Sequence, residues 1–242
     1  MIYENLGISF SDALVATEYG HSPYDDSDAL VVVSEADFLL ERDLRIQAED
    51  LARKDSKFDF VLNDRGMQEA FDEIQSNRNE GDVVVLLYLD INHFKSTNDA
   101  IGHIQADDVL AQYAYFLFRN IREGDAIARH GGDEFAIIAN CAGVDLEDIK
   151  KFLKRIQKPY EATYKHGYQY GQREIASSVG MTIVLPKQDY GDAMEEANTA
   201  ARWIKDSHNR EGLALKLPHQ PPGLLDPGTL ESFQRRSELD SN

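Results

Sequence analysis

An α/β domain with a mixed central sheet is the fold class that this 242-residue sequence predicts, and three observations carry the prediction. Between Asp82 and Asp90 runs Val-Val-Val-Leu-Leu-Tyr-Leu, an unbroken apolar stretch suited to a central strand buried on both faces. Gly131-Gly132 stands between Ala126-Ile127-Ala128 and Phe135-Ala136-Ile137-Ile138, a hairpin signal that makes part of the sheet antiparallel. Segments with apolar residues at helical spacing alternate with these strands, as helices covering a sheet do.

Taken in order from the N-terminus, residues 1–34 read as an acidic extension, with Asp25-Asp26-Ser27-Asp28 as a solvated loop. Ser34 with Asp37 resembles a capping box, and Leu40, Leu44 and Leu51 recur at helical spacing. The spacing predicts a helix from Glu35 to about Lys54, so residues 35–55 form a connecting segment. Its stripe fits either packing on the chain's own domain or pairing with a second copy as a short coiled coil. One compact block follows, residues 56–215. After the central strand, Ala106 to Phe118 sets Val109, Leu110, Tyr113 and Leu117 on one helical face. Ile149, Phe152, Leu153 and Ile156 mark another helix, Ser177 to Leu185 a strand, and Ala193 to Lys205 a last, Ala-rich helix. Pro218, Pro221, Pro222 and Pro227 make residues 216–242 a Pro-rich tail, excluded from helix interiors and central strands. A short helix around Thr229 to Arg236 is the regular element expected there.

Charge and cysteine content narrow the function classes. With 25 Lys+Arg against 43 Asp+Glu the formal charge is −18, which argues against a broad nucleic-acid-binding face. Residues 1–55 hold 13 of the acids and four bases, so half of the excess sits in this short segment. The single cysteine, Cys141, excludes an intramolecular disulfide framework and a Cys-based zinc cluster. No apolar run approaches 18 residues, so no membrane span is expected. The first residues lack a basic region followed by an apolar stretch, so the chain reads as cytoplasmic.

Three carboxylates then stand out. Asp90 ends the apolar run, at the lip of the sheet where α/β proteins bind ligands. Asp133 and Glu134 follow the glycine pair, and adjacent acids at a hairpin tip repel each other unless something cationic sits between them. If the hairpin pairs beside the Asp90 strand, the three converge into an oxygen-ligand site for Mg²⁺ or Mn²⁺. Paired ions of this kind serve in-line phosphoryl displacement. A solvent-exposed acidic turn is the alternative that composition alone leaves open.

Gly131-Gly132-Asp133-Glu134-Phe135 resembles the signature of the GGDEF family of diguanylate cyclases. About forty residues earlier, Asp90-Ile91-Asn92-His93-Phe94-Lys95-Ser96-Thr97-Asn98-Asp99, then Gly102-His103 and Asp107, is similar to that family's DxDxFKxxND, GH and GD segments. Ser178-Val179-Gly180 resembles its SxG strand, and Ala197 to Lys205 its ADxAL…AK helix. The resemblance spans about residues 56–215 and implies one palm-like GGDEF domain, a central mixed sheet flanked by helices, preceded by an N-terminal helical extension. It also implies site roles. Asp90, the Ile91 carbonyl, Asp133 and Glu134 would hold two Mg²⁺ (or Mn²⁺) ions per active site, with Asp133, Glu134 and Lys95 as the catalytic set. Asn98 and Asp107 would read guanine, whose N1–H and N2–H₂ edge suits a carboxylate in a way that adenine does not. Phe94, Gly131 and Gly132 would complete the pocket, and Lys95, Lys205 and Arg210 would face the triphosphate. The implied reaction condenses two GTP into cyclic di-GMP and pyrophosphate, one GTP per protomer, which requires a homodimer.

Arg122-Glu123-Gly124-Asp125 lies five residues before Gly131, at the spacing of the family's RxxD inhibitory site, with Arg155 as a second arginine for cyclic di-GMP. A helix-end salt bridge is the plainer reading of the same four residues. Some positions depart from the family pattern. Phe58 to Arg65 stands where DxLTGLxNRR is usual, Asn198 replaces an Asp, Ala106 replaces a Gly, and His208-Asn209-Arg210 replaces Gly-Arg-Asn. Loss of one cation from the triphosphate site would weaken GTP binding by about 1–3 kcal/mol. A working cyclase with product feedback is therefore expected, and a non-catalytic cyclic di-GMP receptor is the alternative. Residues 1–55 match no sensor and suit a dimerisation arm, a docking segment or tether for a regulatory protein, or a plain extension followed by a connecting helix.

Overall fold

Strand β1 (Val84–Ile91) forms where the sequence is apolar without a break, and every residue of it except Asp90 is buried. A computed structural model describes residues 35–79, 82–141, 146–207, 213–216 and 221–224. Residues 1–34, Arg210 and the helix expected at Thr229 to Arg236 lie outside them. The chain divides into two compact units, 1–52 and 53–242. Of the first, α1 (Glu35–Ala52) is described, an 18-residue helix close to the span that the spacing predicts. Leu40, Leu44 and Leu51 on it are 59%, 55% and 68% exposed.

The second unit is built around β1. Strands β2 (Ala126–Gly131), β3 (Glu134–Asn140), β6 (Ser177–Val184), β7 (Leu213–Lys216) and β8 (Gly223–Leu224) join it in the order β2-β3-β1-β6-β7-β8. β1 runs antiparallel to β3 and β6, whereas β6 and β7 are parallel, so the sheet is mixed as expected. Helices α2 (Asp64–Asn77), α3 (Phe94–Ile101), α4 (His103–Asn120), α5 (Leu146–Ile156) and α6 (Tyr190–Ser207) complete the unit, with a separate hairpin of β4 (Tyr160–His166) and β5 (Gln169–Ile175).

The period-two alternation of β1 divides its residues between two cores. Val85, Leu87, Leu89 and Ile91 meet Val109, Leu110, Tyr113 and Leu117 of α4. Val84, Leu86 and Tyr88 meet Met67 and Phe71 of α2 and Ala193, Ala197 and Ala201 of α6. Burial on both faces explains why the strand lacks polar alternation. In the first core the Tyr113 hydroxyl lies 2.6 Å from Ser177 Oγ, and burial pushes its phenol up to about 12. Gly180 of β6 is the point of closest approach in the second. A Cβ there would overlap the Ala197 carbonyl oxygen and the Ala201 nitrogen, so α6 rests directly on the strand.

Several elements were not anticipated. α2 carries Met67, Phe71 and Ile74 at helical spacing, yet apart from Gly66 and Ala70 its other residues are polar. The sheet also continues past residue 215, because β8 pairs with β7 from within the Pro-rich stretch. Two residues at a sheet edge are what such a stretch can supply.

Candidate active site

The register brings the predicted carboxylates to one sheet edge. Asp90 stands opposite Glu134 in the β1–β3 ladder, and the Ile91 amide donates to the Asp133 carbonyl at 3.2 Å. Gly132 makes the tight turn with φ +27°. Asp133 is half-buried, and burial raises its carboxyl above the ordinary range, with Asp90 and then Glu134 adding to the effect. Lys205, near the end of α6, forms an ion pair with Asp90. The Tyr88 phenol is raised by burial first and then by its hydrogen bond to Glu134.

Oxygen donors in mutual repulsion suit a hard divalent cation. Among the described residues, no group of three His, Cys, Asp or Glu side chains is gathered tightly enough to hold one ion. Lys205 supplies positive charge to Asp90 in this arrangement, so a cation binding there competes with an ammonium group.

The hairpin is held from behind by residues that the motif reading passed over. Arg129 donates to the Gly132 carbonyl through Nε at 3.0 Å and a terminal nitrogen at 2.7 Å. Its other terminal nitrogen lies 3.5 Å from Asp55, and the two side chains are only 12% and 13% exposed. The guanidinium sits 5.1 Å from the centre of the Phe58 ring. His130 Nδ1 lies 2.8 Å from Asp64 Oδ1, to which the Tyr190 hydroxyl also donates at 2.8 Å.

The same contacts give the divergent Phe58 to Arg65 segment a physical role. The Leu62 amide donates to Ile127 and its carbonyl accepts from Arg129, stitching the segment onto β2. Asn63 caps α2 by accepting from the Gly66 amide at 2.9 Å, and its side-chain amide holds the Lys54 carbonyl. Asp64 then takes the histidine beside the glycine pair.

On the opposite side of β1, α3 and α4 present Asn98 and Asp107. Asn98 Oδ1 lies 3.1 Å from His103 Nδ1, and its amide donates to the Phe94 carbonyl. The Asp107 carboxylate takes Lys57 Nζ on both oxygens, at 2.9 and 2.8 Å. Lys95 is exposed on α3, whereas Phe94 is buried in the core. Asn92, at the end of β1, accepts from Ser178 Oγ at 2.8 Å.

The Arg122 and Asp125 pair forms a turn of its own before β2. The Arg122 amide donates to Asp125 Oδ2 at 3.0 Å, and the Asp125 amide returns a bond to the Arg122 carbonyl. Burial raises the Asp125 carboxyl against the lowering effect of Arg122. Burial also pushes the nearby Cys141 thiol up to about 11, so it is not a ready thiolate. Arg122 and Arg155 are both exposed, the second in the last turn of α5.

Residues 60–211 match the family described as diguanylate cyclase, GGDEF domain. The chain belongs to the GGDEF family. DgcP, a diguanylate cyclase of Pseudomonas aeruginosa, is 34% identical over 143 residues, 59% of this chain and 21% of DgcP. PdeR, a cyclic di-GMP phosphodiesterase of Escherichia coli K12, is 27% identical over 198 residues, 80% of this chain and 28% of PdeR. This chain thus spans about a quarter of the length of these curated relatives. The solved structure of the diguanylate cyclase SiaD of P. aeruginosa, in complex with its activator SiaC, superposes with a TM-score of 0.60 at 25% identity. It covers 74% of this chain and 68% of that one.

Within this GGDEF domain the signature pentapeptide is thus part of a larger assembly. Arg129 and His130 precede it directly; Arg129 reaches back to Asp55 before α2, and His130 to Asp64, the first residue of α2. A signal was available, because an arginine and a histidine flanking a glycine pair need partners in a half-buried hairpin. No helix among the described residues is long and apolar enough to cross a membrane.

Proposed function

We propose that the chain is a cytoplasmic diguanylate cyclase that joins two GTP molecules into cyclic di-GMP. The observation supporting this reading is the β1–β3 register, which sets Asp90 opposite Glu134 and next to the Asp133 turn at one sheet edge, in a domain that retains Asn98 and Asp107. Asn98 and Asp107 hold the guanine, while Lys95, Lys205 and Arg210 face the triphosphate. Each 3′-oxygen forms a bond to the other nucleotide's α-phosphorus, and the bond to the β-phosphate oxygen breaks to release pyrophosphate. Asp90, the Ile91 carbonyl, Asp133 and Glu134 are the groups that would hold Mg²⁺ or Mn²⁺. When bound, such ions polarise the attacking hydroxyl and offset charge on the leaving oxygen.

One domain holds one GTP, so turnover needs two copies facing each other, and the leucine stripe of α1 is suited to bring them together. SiaD is held in complex with an activator protein. By analogy, residues 1–55 offer a docking segment for a regulatory partner. Arg122, Asp125 and Arg155 form the feedback site, where a guanidinium meets product phosphate and a carboxylate meets a guanine edge. The second reading, a cyclic di-GMP receptor without turnover, draws on the phosphodiesterase PdeR, which matches 80% of this chain, and on the altered Asn209 position.

Incubation of purified protein with GTP and Mg²⁺, with cyclic di-GMP and pyrophosphate both measured, separates the readings. Turnover that rises in Arg122→Ala and vanishes in Asp133→Ala is expected. No product from either the wild type or Arg122→Ala would overturn the cyclase reading and leave the receptor.

A further inference from the structure

We propose that Lys57 is an internal competitor for the guanine edge and sets the affinity of the nucleotide site. The inference rests on reading Asn98 and Asp107 as the base site. Guanine offers a carboxylate two donors side by side, N1–H and N2–H₂. Lys57 Nζ stands within hydrogen-bond distance of both Asp107 oxygens, at 2.9 and 2.8 Å, and so satisfies the pair that the base edge would satisfy. Both cannot occupy that place. The base is read only after the ammonium group has left.

Two further observations distinguish this lysine from a wandering surface charge. Its backbone is fixed, because Asp55 Oδ1 accepts from both the Lys57 amide at 2.9 Å and the Phe58 amide at 3.0 Å. Asp55 also faces Arg129, the residue that grips Gly132, so the turn bearing Lys57 is wired to the catalytic hairpin. The pair is also breakable, since each side chain is 48% exposed. Exposed ion pairs shift an equilibrium by roughly 1.4- to 5-fold, enough to tune affinity and too little to block the site.

The test is calorimetric titration with 3′-deoxy-GTP, which lacks the attacking hydroxyl, in Mg²⁺ buffer. Lys57→Met keeps the stem and removes the charge. It is expected to bind about 1.4- to 5-fold more tightly than the wild type, with the gap narrowing as salt screens the pair. Simple electrostatics gives the opposite sign, because losing a cation near a triphosphate weakens binding. Asp107→Asn is expected to weaken binding, and adding Lys57→Met to it should give no further gain. If Asp107→Asn weakens binding while Lys57→Met is unchanged or weaker, the competitor role is wrong and the base site stands. If Asp107→Asn binds like the wild type, the base-site reading itself fails, and this inference with it.

Discussion

Replacing Arg129 probes the support of the hairpin most directly. In Arg129→Ala the two bonds to the Gly132 carbonyl and the stacking on Phe58 disappear together. Hydrogen bonds involving a charged group contribute about 1.5–3 kcal/mol. Here the lower part of that range applies, because Gly132 is exposed and water can replace the guanidinium at its carbonyl. A cation over an aromatic face adds roughly 0.5–2 kcal/mol, and this one is largely screened from water. Asp55 keeps its two backbone partners, so its carboxylate is not stranded. The expected loss of stability is therefore about 2–3 kcal/mol. Arg129→Lys should recover roughly half of it, since an ammonium can stack but cannot fork. Urea unfolding at fixed pH, compared through midpoints at constant slope, measures both values. A loss below about 0.5 kcal/mol for Arg129→Ala would refute the argument that this residue anchors the turn.

Two other outcomes follow from the same geometry. Because the Asp133 carboxyl is raised in the fold, the native state binds its proton more tightly than the unfolded chain. Its contribution is full below about pH 4 and is lost as pH rises through the raised value. In metal-free buffer Asp133→Asn should match the wild type at low pH and become the more stable protein towards neutrality; thermal melts across pH 3–8 that run parallel would contradict this. For α1, Leu40→Asn with Leu44→Asn removes two apolar side chains, each contributing about 1.5–3 kcal/mol when buried in a dimer. Sedimentation should show at least a tenfold weaker dimer, and an unaltered mass at every concentration would remove the pairing role of this helix.

What could be read in advance depended on how local the physics was. β1, the glycine hairpin, α4 and α6 announce themselves because their apolar residues follow one period, and Asp90 comes to stand opposite Glu134 because the register follows from the hairpin. The β4–β5 hairpin gives a weak signal because its inward alternation is short, with Tyr160, Ala162 and Tyr164 facing the core in β4 and Ile175 ending β5, while Tyr170 and the turn residue Tyr168 are exposed. β7 has four residues, too few to show any period. The segment Phe58 to Arg65 departs from the family motif, yet its Phe58 and Asp64, with Asp55 just before it, meet Arg129 and His130 more than sixty positions away. Such partners are invisible to spacing. Lys57 and Asp107 lie fifty residues apart, and only the folded chain shows that one ammonium covers the predicted base reader.

The bare position at Gly180 bears on an ion pair that it never touches. It is a fulcrum. α6 bears on it through Ala197 and Ala201, and Lys205 lies four to eight residues further along, roughly 6–12 Å up the helix axis. A methyl group inserted there would force a shift between the strand and α6, the helix that carries Lys205 against Asp90. The tolerance of a charged site is thus set by a gap the size of one missing carbon, at a place where nothing reactive is found.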